Sequence, residues 1–536
     1  MASLGSSSLE AFTSRAQPTI SIDLDGQNDG LVNLYTTGDR IDGAVSITVT
    51  RDVRFDELEI TFEGTTRTSV ERVALPGRTG AYQTFLRLRQ PIPDSDYPMP
   101  RLLEPGRRYI FPFTFVVPDR LLPHACSHPK SHRHLELSHT LLPPTLGDAM
   151  LAPDGKSLLD DLTPDMCRIA YLIRVSVLRR DVSSSSPSST KTLVSVAKKV
   201  RIIPAVAEEP PLNLADHEDD YCARKEKDVK RGLLRGKLGR LVLVASQPKP
   251  LQLLPTPNQG EEQEKNAIST STTLHLRFDP VGDEPPPRLG TVSSHLRVST
   301  FFAAEPWPDY PSPANALMWA SGRGGYTDTV PLSSRCVASS SWTVHSDSPS
   351  IDDSDSSPRR CSSSSSSSSS STSTSGSSRS GSIDPSSAYT GKTYYTASIM
   401  VPISLPTDKN LAFVPSFHSC LVSRVYALDL RVSYHPPNAT IVTPSASLRL
   451  PVQITCAVRD AVSLKERARA QVREIEVSQE EVEEFFRPRG VISHQIQVET
   501  QEDAETEEGR PPEYSEVRMA LSPDRSTDLV SSVRAY

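Results

Sequence analysis

Six residues with metal-binding chemistry crowd into one short stretch: His124, Cys126, His128, His132, His134 and His139. Imidazole nitrogen and thiolate sulfur are the usual zinc ligands, and structural sites space them in short regular pairs. Here the steps are loose, H-x-C-x-H and then H-x-H, with prolines at 123 and 129. That spacing matches no closed structural site, so the segment is expected to be a surface loop holding no metal, and no cofactor is expected anywhere in the chain. Gly232 to Lys237 stops one residue short of a phosphate-binding loop and lacks the following Ser or Thr. H-E-x-x-H and G-x-S-x-G are both absent, so an enzyme has no residues to name.

Other residues are suited to binding rather than catalysis. Pro511-Pro512-Glu513-Tyr514 pairs a polyproline II bias with an aromatic side chain two residues on. The stiff prolines lower the ordering cost of docking and the ring fills a pocket, which is how WW domains hold their ligands. The binding residues expected are Pro511, Pro512 and Tyr514. A basic cluster that includes Lys225, Lys227, Lys230, Arg231 and Lys237 could meet anionic lipid headgroups, and its lysines could accept ubiquitin. Arg359-Arg360-Cys361-Ser362 places basic residues where basophilic kinases prefer them, making Ser362 a candidate phosphoacceptor. Trp307-Pro308-Asp309-Tyr310, a one-proline relative of the tail motif, is expected to pack at a core edge instead.

The elements that must carry these residues are strands. Ile20, Ile22 and Leu24 alternate with polar neighbours, as do Leu58, Ile60 and Phe62. Tyr109, Phe111, Phe113 and Phe115 repeat the period, and so do Ile169, Tyr171, Ile173, Val175 and Val177. Period two with Gly, Pro and Asp turns predicts an all-β protein of antiparallel, immunoglobulin-like β-sandwiches. The first spans 17–206, after a disordered N-terminus at 1–16. A linker at 207–236 leads to a second sandwich at 237–460, with strands around Leu274 to Phe278, Tyr426 to Tyr434 and Leu448 to Ile454. Within it, the Ser-rich residues 333–387 can bury no core and are expected to be a disordered insertion. Leu464, Ala468, Val472 and Ile475 then follow a helical period across 461–490, and an acidic disordered tail at 491–536 carries the PPxY motif.

The composition agrees with this partition. Only 36% of residues are hydrophobic and 46 are proline, too little apolar material for 536 residues to be folded throughout. A net charge of −7 argues against nucleic acid as a partner. Seven scattered cysteines with no C-x-x-C pair fit reduced thiols in the cytoplasm.

The first sandwich resembles the arrestin fold, and in particular the fungal α-arrestins, or arrestin-related trafficking adaptors. Tyr35-Thr36-Thr37-Gly38-Asp39-Arg40-Ile41-Asp42-Gly43, Phe55 to Gly64, Pro105-Gly106 with Tyr109 to Pro118, and Leu142 to Asp148 carry the likeness. It covers 18–206 and, more weakly, 235–457. The resemblance implies a non-enzymatic adaptor. It would recruit a HECT-type ubiquitin ligase through WW domains to the cytosolic tails of plasma-membrane transporters or receptors, promoting their ubiquitylation and endocytosis. Such a protein would be cytoplasmic and recruited peripherally to the plasma membrane and endosomes. An arrestin-like signalling scaffold, for ambient pH or nutrients, is the alternative. Many α-arrestins carry several PPxY motifs and this chain has one full copy, which removes avidity.

Overall fold

Alternating apolar residues drive chain segments into strands with one dry face, and the computed structural model shows the same alternation in burial. It describes residues 18–457 except 28–31, 72–77, 153–154, 181–189, 232–235, 254–267, 314–321, 347–382, 388, 409 and 438–442. All of these belong to one unit, Met1–Glu466. The expected disordered N-terminus, the helix at 461–490, Ser362 and the motif from Pro511 to Tyr514 lie outside the described residues.

Ten strands build the N-lobe: β1 (Thr19–Leu24), β2 (Leu34–Tyr35), β3 (Arg40–Thr48), β4 (Val53–Arg54), β5 (Glu57–Glu71), β6 (Arg78–Arg89), β7 (Leu102–Leu103), β8 (Tyr109–Val116), β9 (Cys167–Arg180) and β10 (Thr190–Ile202). One sheet runs β1-β3-β8 and the other β2-β10-β9-β5-β6, with β4 and β7 as a small ribbon. On β8, Tyr109, Phe111, Phe113 and Phe115 all point inward, as the period of two requires. Phe62 of β5 meets Phe115 across the sandwich with ring centroids 5.9 Å apart, and stacks on Tyr171 of its own sheet at 5.9 Å. Between β8 and β9 the described residues include a short α-helix, α1 (Arg133–Ser138).

The C-lobe follows with β11 (Arg224–Lys230), β12 (Lys237–Ala245), β13 (Leu251–Leu253), β14 (Ser269–Pro280), β15 (Arg288–Ala303), β16 (Arg323–Cys336), β17 (Thr343–Ser346), β18 (Thr393–Ser404), β19 (Phe417–His418), β20 (Val422–His435), β21 (Ser445–Val452) and β22 (Ile454–Cys456). One sheet runs β11-β12-β14-β18-β17; the other runs β16-β15-β20-β19, with β21 also paired to β20. Pairing is antiparallel apart from the short β2–β10 and β13–β22 contacts. Leu274, Leu276 and Phe278 on β14 and Tyr426, Leu428, Leu430, Val432 and Tyr434 on β20 are buried, as their alternation predicts. A single apolar cluster continues through both lobes.

Two boundaries differ from the sequence expectation. Residues 224–230, assigned to the linker, form β11, an edge strand paired to β12 from Arg224↔Val244 to Lys230↔Lys237. It escaped the periodicity because Val229 is its one buried residue and charges fill the rest, as suits an edge that must not recruit further strands. Likewise β17, paired to β18, and the end of β16 lie inside the stretch assigned to the Ser-rich insertion.

Candidate functional site

The chemistry-bearing residues converge on the seam between the lobes. Arg424, at the start of β20, is fully buried. Its Nε donates to Thr300 Oγ1 at 2.9 Å within the C-lobe, and its guanidinium nitrogens reach into the N-lobe. There Nη1 donates to the Asp161 carbonyl at 2.9 Å, and Nη2 donates to the Leu162 carbonyl at 3.3 Å and Thr163 Oγ1 at 2.7 Å. A planar cation with five donors suits a fan of neutral acceptors that an ammonium could not span. Nearby, Asp160 and Asn410 extend the seam as backbone, Asp160 N donating to the Asn410 carbonyl at 2.7 Å, and Thr68 Oγ1 donates to the Ala303 carbonyl at 2.6 Å.

The histidine-rich segment is part of this seam, which corrects its assignment as a surface loop. Leu135 and Ser138 of α1 are buried and anchor the turn, and His139 follows them inside. Exposed His132 caps α1, its Nδ1 accepting from Leu135 N at 3.2 Å. His134 hydrogen-bonds Tyr310, and Ser131 N donates to the Pro308 carbonyl at 2.8 Å, so the Trp307 to Tyr310 stretch supplies the facing surface. Trp307 itself is buried against Phe301 and Ala303, as its expected core-edge role requires. His124 stays exposed and apart.

Three residues of that segment, Cys126, His128 and His139, meet Cys420 from the C-lobe turn between β19 and β20, with their donor atoms all within 4.8 Å of one another. Cys420 Sγ lies 2.9 Å from Cys126 Sγ, and Cys126 Sγ is 3.5 Å from His139 Nδ1. The Cys420 thiol, donating to Cys126, holds the Cys126 thiol well below the usual cysteine range; His139 and His128 add to this while burial opposes it. The same hydrogen bond and burial push Cys420 up. Burial lowers neighbouring His418 to about 3, with His139 and His134 contributing, so its imidazole is neutral at physiological pH. Sequence reading missed Cys420 because 294 residues separate it from Cys126. Only the fold brings them together.

The basic cluster is more neutralised than its composition suggests. Lys237 lies 2.7 Å from Asp228, Arg231 lies 2.6 Å from Glu284, and Lys227 donates to the Ser445 carbonyl. Of the five cluster residues singled out, this leaves Lys225 and Lys230, both exposed on β11, outside these pairings. The adjacent arginines have an internal task. Arg224 donates to the Asp384 and Pro385 carbonyls, Arg240 to Ser387 Oγ, and Glu226 accepts from Ser387. On β14, buried Arg277 pairs with Asp279 at 2.7 Å and donates to the Ile383 carbonyl, while Asp279 accepts from Ser386 N. Together they clasp residues 383–387, where the chain re-enters the C-lobe after its Ser-rich run.

Among the described residues no helix is long and apolar enough to cross a membrane. A family model for the arrestin (or S-antigen) N-terminal domain matches residues 20–202, which is the N-lobe. A second, for the Bul1 C terminus, matches 335–456, the later part of the C-lobe; Bul1 is a fungal arrestin-related adaptor. No curated protein matches the chain. Both matched families are adaptor domains that point to a non-catalytic protein. Two β-lobes joined as described, with an N- and a C-terminal family match in that order, support an arrestin-like family with affinity to the fungal α-arrestins, and with it an arrestin-related trafficking adaptor.

Proposed function

We propose that this adaptor recruits a WW-domain HECT-type ubiquitin ligase to plasma-membrane transporters or receptors and so promotes their ubiquitylation and endocytosis. The observation that carries the proposal is the presence, in one chain, of arrestin and Bul1 domain matches and a Pro-Pro-Glu-Tyr motif. The lobes would engage the cytosolic tail of the cargo. Pro511 and Pro512 would lie on the aromatic groove of the WW domain with Tyr514 seated beside them. The acidic residues from Glu499 to Glu508 would steer the encounter with a basic WW surface.

The test is retention of the full-length protein on an immobilised WW-domain fragment of a HECT-type ligase. Removing an aromatic anchor typically costs 2 kcal/mol or more, so Tyr514→Ala should lower retention at least about tenfold while leaving the melting temperature unchanged. Equal retention of the variant would refute the ligase role.

A further inference from the structure

We propose that Cys126, His128, His139 and Cys420 bind one zinc ion that staples the N-lobe to the C-lobe. The four ligand atoms, two sulfurs and two imidazole nitrogens, converge within 4.8 Å of one another. Mixed sulfur and nitrogen donors in a closed set of four are the structural zinc pattern. Bonds of about 2.0 to 2.3 Å to a tetrahedral centre put neighbouring ligand atoms about 3.3 to 3.8 Å apart. Cys126 Sγ and His139 Nδ1, at 3.5 Å, already have that spacing. The two sulfurs, at 2.9 Å, must part by roughly 1 Å to admit the ion.

The surroundings are arranged as a zinc site needs. His128 Nδ1 donates to the Pro129 carbonyl at 2.9 Å, which fixes the tautomer and leaves Nε2 with its lone pair free. That Nε2 is buried with no hydrogen-bond partner, although it sits beside the thiols. An unpartnered buried acceptor is costly, and a metal ion would satisfy it. Lys130 Nζ donates to the Cys126 carbonyl at 2.7 Å and Gln83 Nε2 to the Ala125 carbonyl at 3.0 Å, so the backbone carrying Cys126 is held from two sides. A disulfide between Cys126 and Cys420 would use the sulfurs but leave both imidazoles without a role, whereas zinc uses all four. Three ligands come from the N-lobe and the fourth lies 294 residues beyond Cys126. The ion would therefore close a very long loop and fix the seam that Arg424 also spans.

The experiment is elemental analysis of the full-length protein, made in reducing conditions and purified through a tag that binds no metal. One zinc per chain is expected. Cys420→Ser and His128→Ala should each lose it, His128→Cys should retain it because a thiolate replaces the imidazole, and Cys336→Ser, at an exposed cysteine outside the site, should leave it unchanged. Should either loss variant fold poorly by circular dichroism, the wild-type protein supplies the readout. Stripping with a chelator and adding cobalt(II) should then produce thiolate-to-cobalt charge-transfer absorption. Wild-type protein with no zinc and no such absorption after full reduction would overturn the proposal. So would recovery of a Cys126–Cys420 disulfide in metal-free protein that takes up no cobalt once reduced.

Discussion

Arg424 carries much of the seam because every group it touches is neutral and its charge is solvated by carbonyl and hydroxyl oxygens from both lobes. Arg424→Met keeps much of the side-chain volume but leaves the Asp161 and Leu162 carbonyls and Thr163 without this donor. Unsatisfied buried groups cost 1–3 kcal/mol each and some will relax, so a loss of about 3 kcal/mol is expected, read from urea denaturation. A change under about 0.5 kcal/mol, the range of ordinary surface substitutions, would show that the guanidinium is not structural. Arg424 shares parity with Tyr426, Leu428 and Leu430, so its inward face follows the strand's period, although the alternation read from the sequence starts only at Tyr426. What it meets was not legible, since Asp161 to Thr163 lie more than 250 residues earlier. Cys420 is the same case. The five histidines and one cysteine between 124 and 139 are visible as metal chemistry, yet their spacing matches no closed site because the fourth member of the cluster, Cys420, comes from the other lobe.

At the scale of elements, the long inward-facing strands were legible because burial imposes period two on them. The edges were not, because an edge strand is selected for charge and shows no period. β11 is the example, and its charges also serve a purpose that composition hides: with β12 they clasp the re-entry segment 383–387. Lys237, then Arg240, hold Asp228 below its ordinary value of 3.8. Partial burial pushes Glu226 up, but bonds from Ser387, Arg224 and Arg240 outweigh it and bring that carboxyl below its ordinary 4.5. For carboxylates depressed in the folded state, the contribution is complete above the unfolded value and is lost as pH falls through the folded one. The clasp should therefore hold at neutral pH and loosen only as pH falls below the ordinary carboxylate values of 4.5 and 3.8, through the lower folded ones. Hydrogen exchange checks this: protection of amides in 383–387 should fall across that window before the β9 core opens. Protection that stays unchanged at every pH below those ordinary values until the β9 core itself opens would mean that the Arg277–Asp279 pair alone holds the segment.

At the scale of the molecule, two lobes are joined through a continuous core, a buried arginine and a cluster of two cysteines and two histidines, and the sequence beyond them carries one Pro-Pro-Glu-Tyr motif. Under the proposed function the lobes engage cargo, and a short linear motif suits a weak, exchangeable contact with a ligase. With one full copy, that contact should be modest unless cargo or the lobes support it. The decisive measurement compares plasma-membrane proteins in cells carrying the wild-type chain and the Tyr514→Ala variant, scoring surface abundance and ubiquitin remnants together. A defined set of transporters or receptors should lose ubiquitin and persist at the surface in the variant, though the variant protein is folded and equally abundant. Unchanged ubiquitylation and unchanged surface lifetime across the membrane proteome would contradict it.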